Sequence, residues 1–274
     1  MGNGSAPTSA MRKVPELTVF FWITKILTTA VGESTSDYLV KHFPPVLAVV
    51  LGAVALTLAL ANQFAVRRYI VWVYWLAVAM VAVFGTMAAD VLHIQFKVPY
   101  AVSSCFFAVV LAVVFILWNA SEKTLSIHSI DTPRRELFYW ATVVATFALG
   151  TAVGDLTATT LHLGYFVSGV IFAVLFSVPA LSYRLFGLNA VVSFWFAYIV
   201  TRPLGASFAD WMGKPHRVGG LGLGDGIVSF GLALLIVGFV VYMTISGVDT
   251  SGHGATPPSP ATVPPDDGDP AVAG

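Results

Sequence analysis

Eight apolar runs follow one another along the chain, separated by short polar breaks. They cover roughly residues 17–40, 44–66, 69–94, 99–121, 136–162, 164–184, 188–212 and 222–246. Each is near the ~20 residues that an α-helix needs to cross a bilayer, with room for tilt. The longest break, 121–135, divides the chain into halves. Its mixed charges read as a solvated connector, and Thr132-Pro133 reads as the start of the fifth helix. The pattern predicts an all-α polytopic membrane protein of eight transmembrane helices, with one transmembrane domain over 14–247. Residues 1–13 and 248–274 are rich in Gly, Ser, Pro and Asp and are expected to be disordered tails. The first run is no signal peptide, because Lys25, Glu33 and Asp37 fall inside it.

Composition agrees with this class. Of 274 residues, 57% are hydrophobic and 10% charged, against roughly 25% charged in soluble domains. Net charge is zero, so nothing points to nucleic acid. The single cysteine, Cys105, excludes a disulfide within one chain and reads as a small buried hydrophobe. Arg12, Lys13, Arg67, Arg68, Lys123, Arg134, Arg135 and Arg184 lie on one side, and Lys41, Lys97, Lys214 and Arg217 on the other. The excess of positive charge places both termini in the cytoplasm of a bacterial inner membrane. The bilayer is the one certain partner, and the sequence is compatible with a homo-oligomer. No cofactor is expected.

Each odd-numbered run repeats a tryptophan, a glycine ten residues on, and an aspartate five residues after that. The copies are Trp22, Gly32, Asp37; Trp75, Gly85, Asp90; Trp140, Gly150, Asp155; and Trp195, Gly205, Asp210. The chain is thus four tandem repeats, about 14–66, 67–121, 134–184 and 188–247. Every repeat has two spans, so all enter the membrane in the same direction. The symmetry axis should lie along the membrane normal, with each repeat a helical hairpin and the odd helices at the centre. The tryptophans read as interfacial anchors and the glycines as points of close helix approach.

The segments FWITKILTTAVGESTSDYL, YWLAVAMVAVFGTMAADVLH, YWATVVATFALGTAVGDLTATTLHLGY and FWFAYIVTRPLGASFADWMGKP resemble a bacterial integral membrane family. That family is built from four tandem two-span repeats of unknown function, each with a characteristic tryptophan. Its members are usually described as uncharacterised membrane-anchored proteins. The resemblance implies the fold and brings no function.

Helical geometry gathers the ionisable residues. At about 100° per residue from each tryptophan, Lys25, Arg202, Glu33, the four aspartates, His93 and His162 fall within a stripe about 120° wide. In lipid such a stripe faces the bundle interior or water. Asp37, Asp90, Asp155, Asp210 and Glu33 would supply oxygen ligands for a cation, joined by hydroxyls of Thr35, Thr86, Thr151 and Thr157. His93 and His162 would favour a transition metal or relay protons. Lys25 and Arg202 read as counter-charges, each expected to meet a carboxylate of another repeat. Two bases leave three of five acids unneutralised. The favoured reading is a transporter of a divalent metal cation, Mn-like, acting as exporter or proton exchanger. The alternatives are a carrier of a small organic solute or anion using Lys25 and Arg202, and a structural membrane protein. Gly222-Leu223-Gly224-Asp225 and Pro179-Ala180-Leu181 resemble two elements of intramembrane aspartyl proteases. Their order is reversed here, so an enzyme is not expected.

Overall fold

A computed structural model describes residues 13–94 and 96–250. Residues 1–12 and 251–274, the bulk of the two tails, lie outside the described residues. Eight helices run in chain order: α1 Val19–His42, α2 Pro45–Ala65, α3 Val71–Ile94, α4 Tyr100–Glu122, α5 Pro133–Asp155, α6 Tyr165–Phe186, α7 Ala190–Gly213 and α8 Asp225–Ser246. The described residues contain no strand. Seven of the helices are long and apolar enough to span a membrane. The remaining one, α1, is as long but carries Lys25, Glu33, Asp37 and Lys41. The chain is an all-α polytopic membrane protein, and its ends follow local chemistry. The hydroxyls of Thr18 and Thr132 and the Asn189 amide oxygen accept hydrogen bonds from first-turn N–H groups of α1, α5 and α7. Pro133 follows Thr132 and starts α5, as the sequence suggests.

The odd helices form the centre. In α3, α5 and α7, 56–72% of the most apolar stretch is buried, against 17–22% in the even helices. α1 packs on α3, α3 on α5, α5 on α7, and α7 back on α1. The repeat glycines make this ring possible. A Cβ on Gly32 would run into Ala82, one on Gly85 into Phe147, one on Gly150 into Arg202, and one on Gly205 into Thr29. In every case the obstacle lies three residues before the glycine of the next repeat, and the fourth contact returns to the first repeat. Each junction therefore needs a residue without a side chain, as close helix packing in membranes does generally.

The even helices do not pair as the hairpin expectation had it. α2 leans mainly on α3, α4 on α5, α6 on α7 and α8 on α1. Close approach of consecutive odd helices leaves a groove outside each junction, and the even helix lies in it against the later partner. Ala48 of α2 clusters with Val83 and Met87 of α3, Phe172 of α6 with Val200 and Leu204 of α7, and Thr35 of α1 bonds Ser229 of α8 at 2.5 Å. The sequence repeat is a hairpin, while the packing unit is shifted by one helix.

The tryptophan end is sealed. The residue before each tryptophan is Phe21, Tyr74, Tyr139 or Phe194, each edge-on to its own tryptophan. Phe21 also reaches Trp75, Tyr74 reaches Trp140, Tyr139 reaches Trp195 and Phe194 reaches Trp22, with centroids 5.7–6.2 Å apart. These are ordinary aromatic pair distances. Trp75, Trp140 and Trp195 are buried in this layer, so they are core residues rather than the interfacial anchors expected. The 121–135 connector is also not free in solvent. Ile127 and Ile130 are buried, and the Leu125 carbonyl accepts the Trp195 indole N–H at 2.9 Å. Lys13 bonds the buried Glu136 carboxylate at 2.5 Å, and Tyr69 donates to Asp249 at 2.5 Å. Lys13 and Asp249, at the inner edges of the two expected tails, therefore pack on the bundle. Cys105 is exposed on the outer face of α4, not buried.

The glycine ring predicts an asymmetry between two kinds of glycine. Gly205→Val should cost about 1–3 kcal/mol or prevent assembly. Gly238→Ala on α8, where an added Cβ meets nothing within 4 Å, should be neutral or slightly stabilising. Thermal unfolding in detergent distinguishes the two, and equal tolerance at both positions would refute the ring.

Candidate functional site

Along each odd helix one residue in four faces the axis, giving five layers. From the tryptophan end these are Phe21, Tyr74, Tyr139, Phe194; then Lys25, Val78, Val143, Tyr198; then Thr29, Ala82, Phe147, Arg202; then Glu33, Thr86, Thr151, Ala206; and last Asp37, Asp90, Asp155, Asp210. Members of the first four layers are all buried, and Asp90 and Asp155 are half-buried. A spacing of four residues overshoots one turn by about 40°, so each stripe winds slowly around its helix from one end of the bundle to the other. Lys25, Arg202, Glu33 and the four aspartates of the stripe read from the sequence lie in these layers, and His93 and His162 do not.

Arg202 is the hub. It is fully buried, and one terminal nitrogen shares its two hydrogens among Glu33 at 2.6 Å, Thr86 at 2.5 Å and Thr151 at 2.8 Å. These three acceptors are the residues that follow the repeat glycine in repeats one, two and three. The fourth repeat has Ala206 at that position and supplies the guanidinium from one turn away. The geometry offsets part of the cost of a charge in hydrocarbon with one counter-charge and two hydroxyls, while Nε and the other terminal nitrogen have no hydrogen-bond partner among the described residues.

Lys25 departs from expectation. It meets no carboxylate, and its Nζ has no hydrogen-bond partner among the described residues. It lies over the Phe147 ring at 4.0 Å and the Tyr198 ring at 4.2 Å. The two bases therefore have different roles: Arg202 is bonded across the repeats, and Lys25 is boxed by aromatic faces.

The aspartate layer is a partly neutralised carboxylate set. Oxygens of Glu33, Asp155 and Asp210 come within 4.8 Å of one another. Lys214, just past α7, bonds Asp37 and lies 3.4 Å from Asp210. Burial works against its ammonium, but the two aspartates outweigh burial and raise its pKa. Lys41 pairs with Asp225 and approaches Asp37 at 3.6 Å. No ion pair reaches Asp90 or Asp155 among the described residues. Asp155 is also where α5 gives way to a π-helical turn over Leu156–Thr160, a backbone irregularity that only the third repeat has at this place.

Several expected participants lie elsewhere. His93 bonds the Val98 carbonyl at 3.0 Å and Ser103 at 3.3 Å, closing its own loop. His162 is exposed, beyond the end of the π turn, with φ of 54°. Thr35 is spent on Ser229 and Thr157 on the Gly154 carbonyl. Asp225, the acid of the protease-like element, is paired with Lys41, and Leu181 of the other element is exposed on α6. The sequence reading missed Lys214, counted there as a loop charge, and the aromatic residue before each tryptophan. The second signal was present, since all four tryptophans follow Phe or Tyr.

Removing one partner of the central pair should be worse than removing both. Arg202→Met leaves Glu33 buried and uncompensated and should cost about 3–5 kcal/mol. Adding Glu33→Gln should recover a substantial part of that loss. A double-mutant cycle on unfolding free energy measures it; additive losses would mean that the pair does not hold the centre together.

Comparison with known proteins adds family membership. No curated protein and no solved structure matches the chain. The family model for the Repeat of Unknown Function (DUF347) matches four times, over residues 20–69, 73–124, 138–186 and 193–248. Each match takes in one odd helix and the even helix after it. The chain belongs to this repeat family and carries four copies.

Proposed function

We propose that the protein transports a divalent cation across the bacterial inner membrane, binding it at the carboxylates of Glu33, Asp155 and Asp210. The observation that carries this reading is the unpaired Asp155. Its carboxylate lies within 4.8 Å of two others and has no base of its own among the described residues. Three carboxylates so close repel one another unless protons or a cation occupy the space between them. The central charges also leave room for a positive ion. Arg202 and Lys214 offset part of the five acids, and Lys25 lies three layers away from the aspartates. With His93 bonded within its own loop and His162 exposed past the end of the helix, the ligand set is oxygen alone. That favours hard ions such as Mg²⁺, Ca²⁺ or Mn²⁺ over Zn²⁺.

Access is one-sided. Asp90 and Asp155 are partly exposed at their end, while aromatic rings, Lys25 and Arg202 fill the axis towards the other. The excess of Lys and Arg at the tryptophan end supports a cytoplasmic location for it. The bundle then has an outward-facing form, from which an exporter would release its ion. The anion-carrier reading loses ground, because Arg202 is already engaged by Glu33, Thr86 and Thr151.

The test is ion flux in proteoliposomes containing Mg²⁺, Ca²⁺ or Mn²⁺, with protein amount controlled. Asp155→Asn and Asp210→Asn should each weaken apparent affinity by about tenfold or more, equal to ~1.4 kcal/mol. Thr157→Val should leave flux unchanged. Wild-type flux in both Asn variants, or no flux of any of the three ions in the wild type, would overturn the proposal.

A further inference from the structure

Lys214 follows Gly213, the last residue of α7, and the glycine-rich segment 219–224 folds back over it. The N–H groups of Leu221, Leu223 and Gly224 donate to the Trp211, Met212 and Gly213 carbonyls at 2.6–3.2 Å, acceptors that a helix end otherwise leaves open. Gly222 donates to the Lys214 carbonyl at 2.9 Å, and the Lys214 N–H donates to the Asp210 carbonyl at 2.8 Å. A Cβ on Gly220 would run into that same Lys214 carbonyl, and Gly219, Gly222 and Gly224 adopt positive φ of 72–86°. The segment can lie this close only because it is a run of glycines. It fixes the Lys214 backbone from both sides at the mouth of the aspartate layer.

From that fixed point the side chain reaches inward. Its ammonium bonds Asp37 on α1 and stands 3.4 Å from the Asp210 carboxylate. Asp210 is also one of the three acids whose oxygens approach one another within 4.8 Å. A positive charge at that distance weakens the attraction of the carboxylate for any second cation. Arg202 cannot yield its place, since it is fully buried and shared among three acceptors. Lys41 is bonded to Asp225. Lys214 can yield: its side chain is 19% exposed, its stem is flexible, and Asp37 remains as an acceptor if Asp210 is given up.

Resting on the reading of these carboxylates as an ion site, we propose that Lys214 is the tethered counter-ion of that site. Its ammonium holds Asp210 when no divalent ion is bound and competes with the ion for that carboxylate. No covalent bond changes. The competition weakens ion binding, which favours release, and it offsets repulsion among the acids while the site is empty.

The test uses the full chain in lipid nanodiscs with Mn²⁺ as the probe, free Mn²⁺ being counted by its electron paramagnetic resonance signal. Lys214→Met should bind Mn²⁺ tighter than wild type by about tenfold or more, the effect of one unit charge near a carboxylate. If that variant does not accumulate, Lys214→Gln replaces it. Lys214→Arg keeps the charge and should stay within about threefold of wild type. Lys97→Met removes an exposed charge from the α3–α4 loop at the same end and should not tighten binding. Without divalent ion, Lys214→Met should melt roughly 2–4 °C below wild type, and saturating Mn²⁺ should reverse the difference. Mn²⁺ bound by Lys214→Met alone would also support the proposal, the ammonium then excluding the ion outright. Equal or weaker binding in Lys214→Met, with wild type binding Mn²⁺, would overturn it and leave the ion site standing; so would equal tightening in Lys97→Met. No binding by either wild type or Lys214→Met would overturn the ion site and this inference with it.

Discussion

A guanidinium at the centre of a hydrocarbon layer dictates most of what surrounds it. Arg202 cannot be left unpaired there, nor can it reach water from the third of five packed layers. Its acceptors come from three other helices, Glu33 on α1, Thr86 on α3 and Thr151 on α5. Three helices must therefore approach one side chain on a fourth. They can do so only because the residue beside each acceptor is glycine: Gly32, Gly85 and Gly150 remove the side chains that would hold the backbones apart. Gly205 does the same on α7 against Thr29 and closes the circle. The glycines and the arginine are thus one device, since close approach satisfies the charge and the charge rewards close approach.

The closure also explains why the even helices are displaced onto the following repeat. Four odd helices in mutual contact leave four outer grooves. Each even helix fills one, bridging two repeats, with α8 returning to α1. No repeat holds a core of its own. The buried residues that one would assign to a single unit complete their contacts on a neighbouring one, as Phe21 does on Trp75 of the next repeat.

Much of this was readable from spacing. The Trp–Gly–Asp interval located the odd helices, predicted their common direction and placed the ionisable residues on one face, because a helical period converts spacing into direction without further information. What spacing could not convey was which partner a side chain would meet. Lys25 and Arg202 are equivalent in the sequence argument, both buried bases one turn apart in register. The structure separates them because the opposite residues are Phe147 and Tyr198 for one and Glu33 with two threonines for the other. Lys214 lies outside every apolar run and was counted among loop charges. It returns to the aspartates because its chain leaves the end of α7 beside them, with its backbone N–H bonded to the Asp210 carbonyl at 2.8 Å. His162 lies off the site for a related reason. Helical phase was extrapolated to His162, but the helix ends before it, after a π turn that shifts the register.

Four copies in one chain achieve what four identical subunits could not. A symmetric ring of hairpins would repeat every axial residue four times. Four arginines at the level of Arg202 would repel one another, and four glutamates at the level of Glu33 would need four counter-charges. Fusion allows the copies to diverge layer by layer, so that one Arg202 meets one Glu33 and two threonines, and one Lys25 meets one Phe147 and one Tyr198. The aspartate layer is the polar layer that stays the same in all four copies, and a symmetric set of acids cannot neutralise itself. Its balance must come from outside the repeated positions. Lys214 supplies part of it by reaching Asp37 and Asp210, and the half-exposed Asp90 and Asp155 are left to water, protons or a cation.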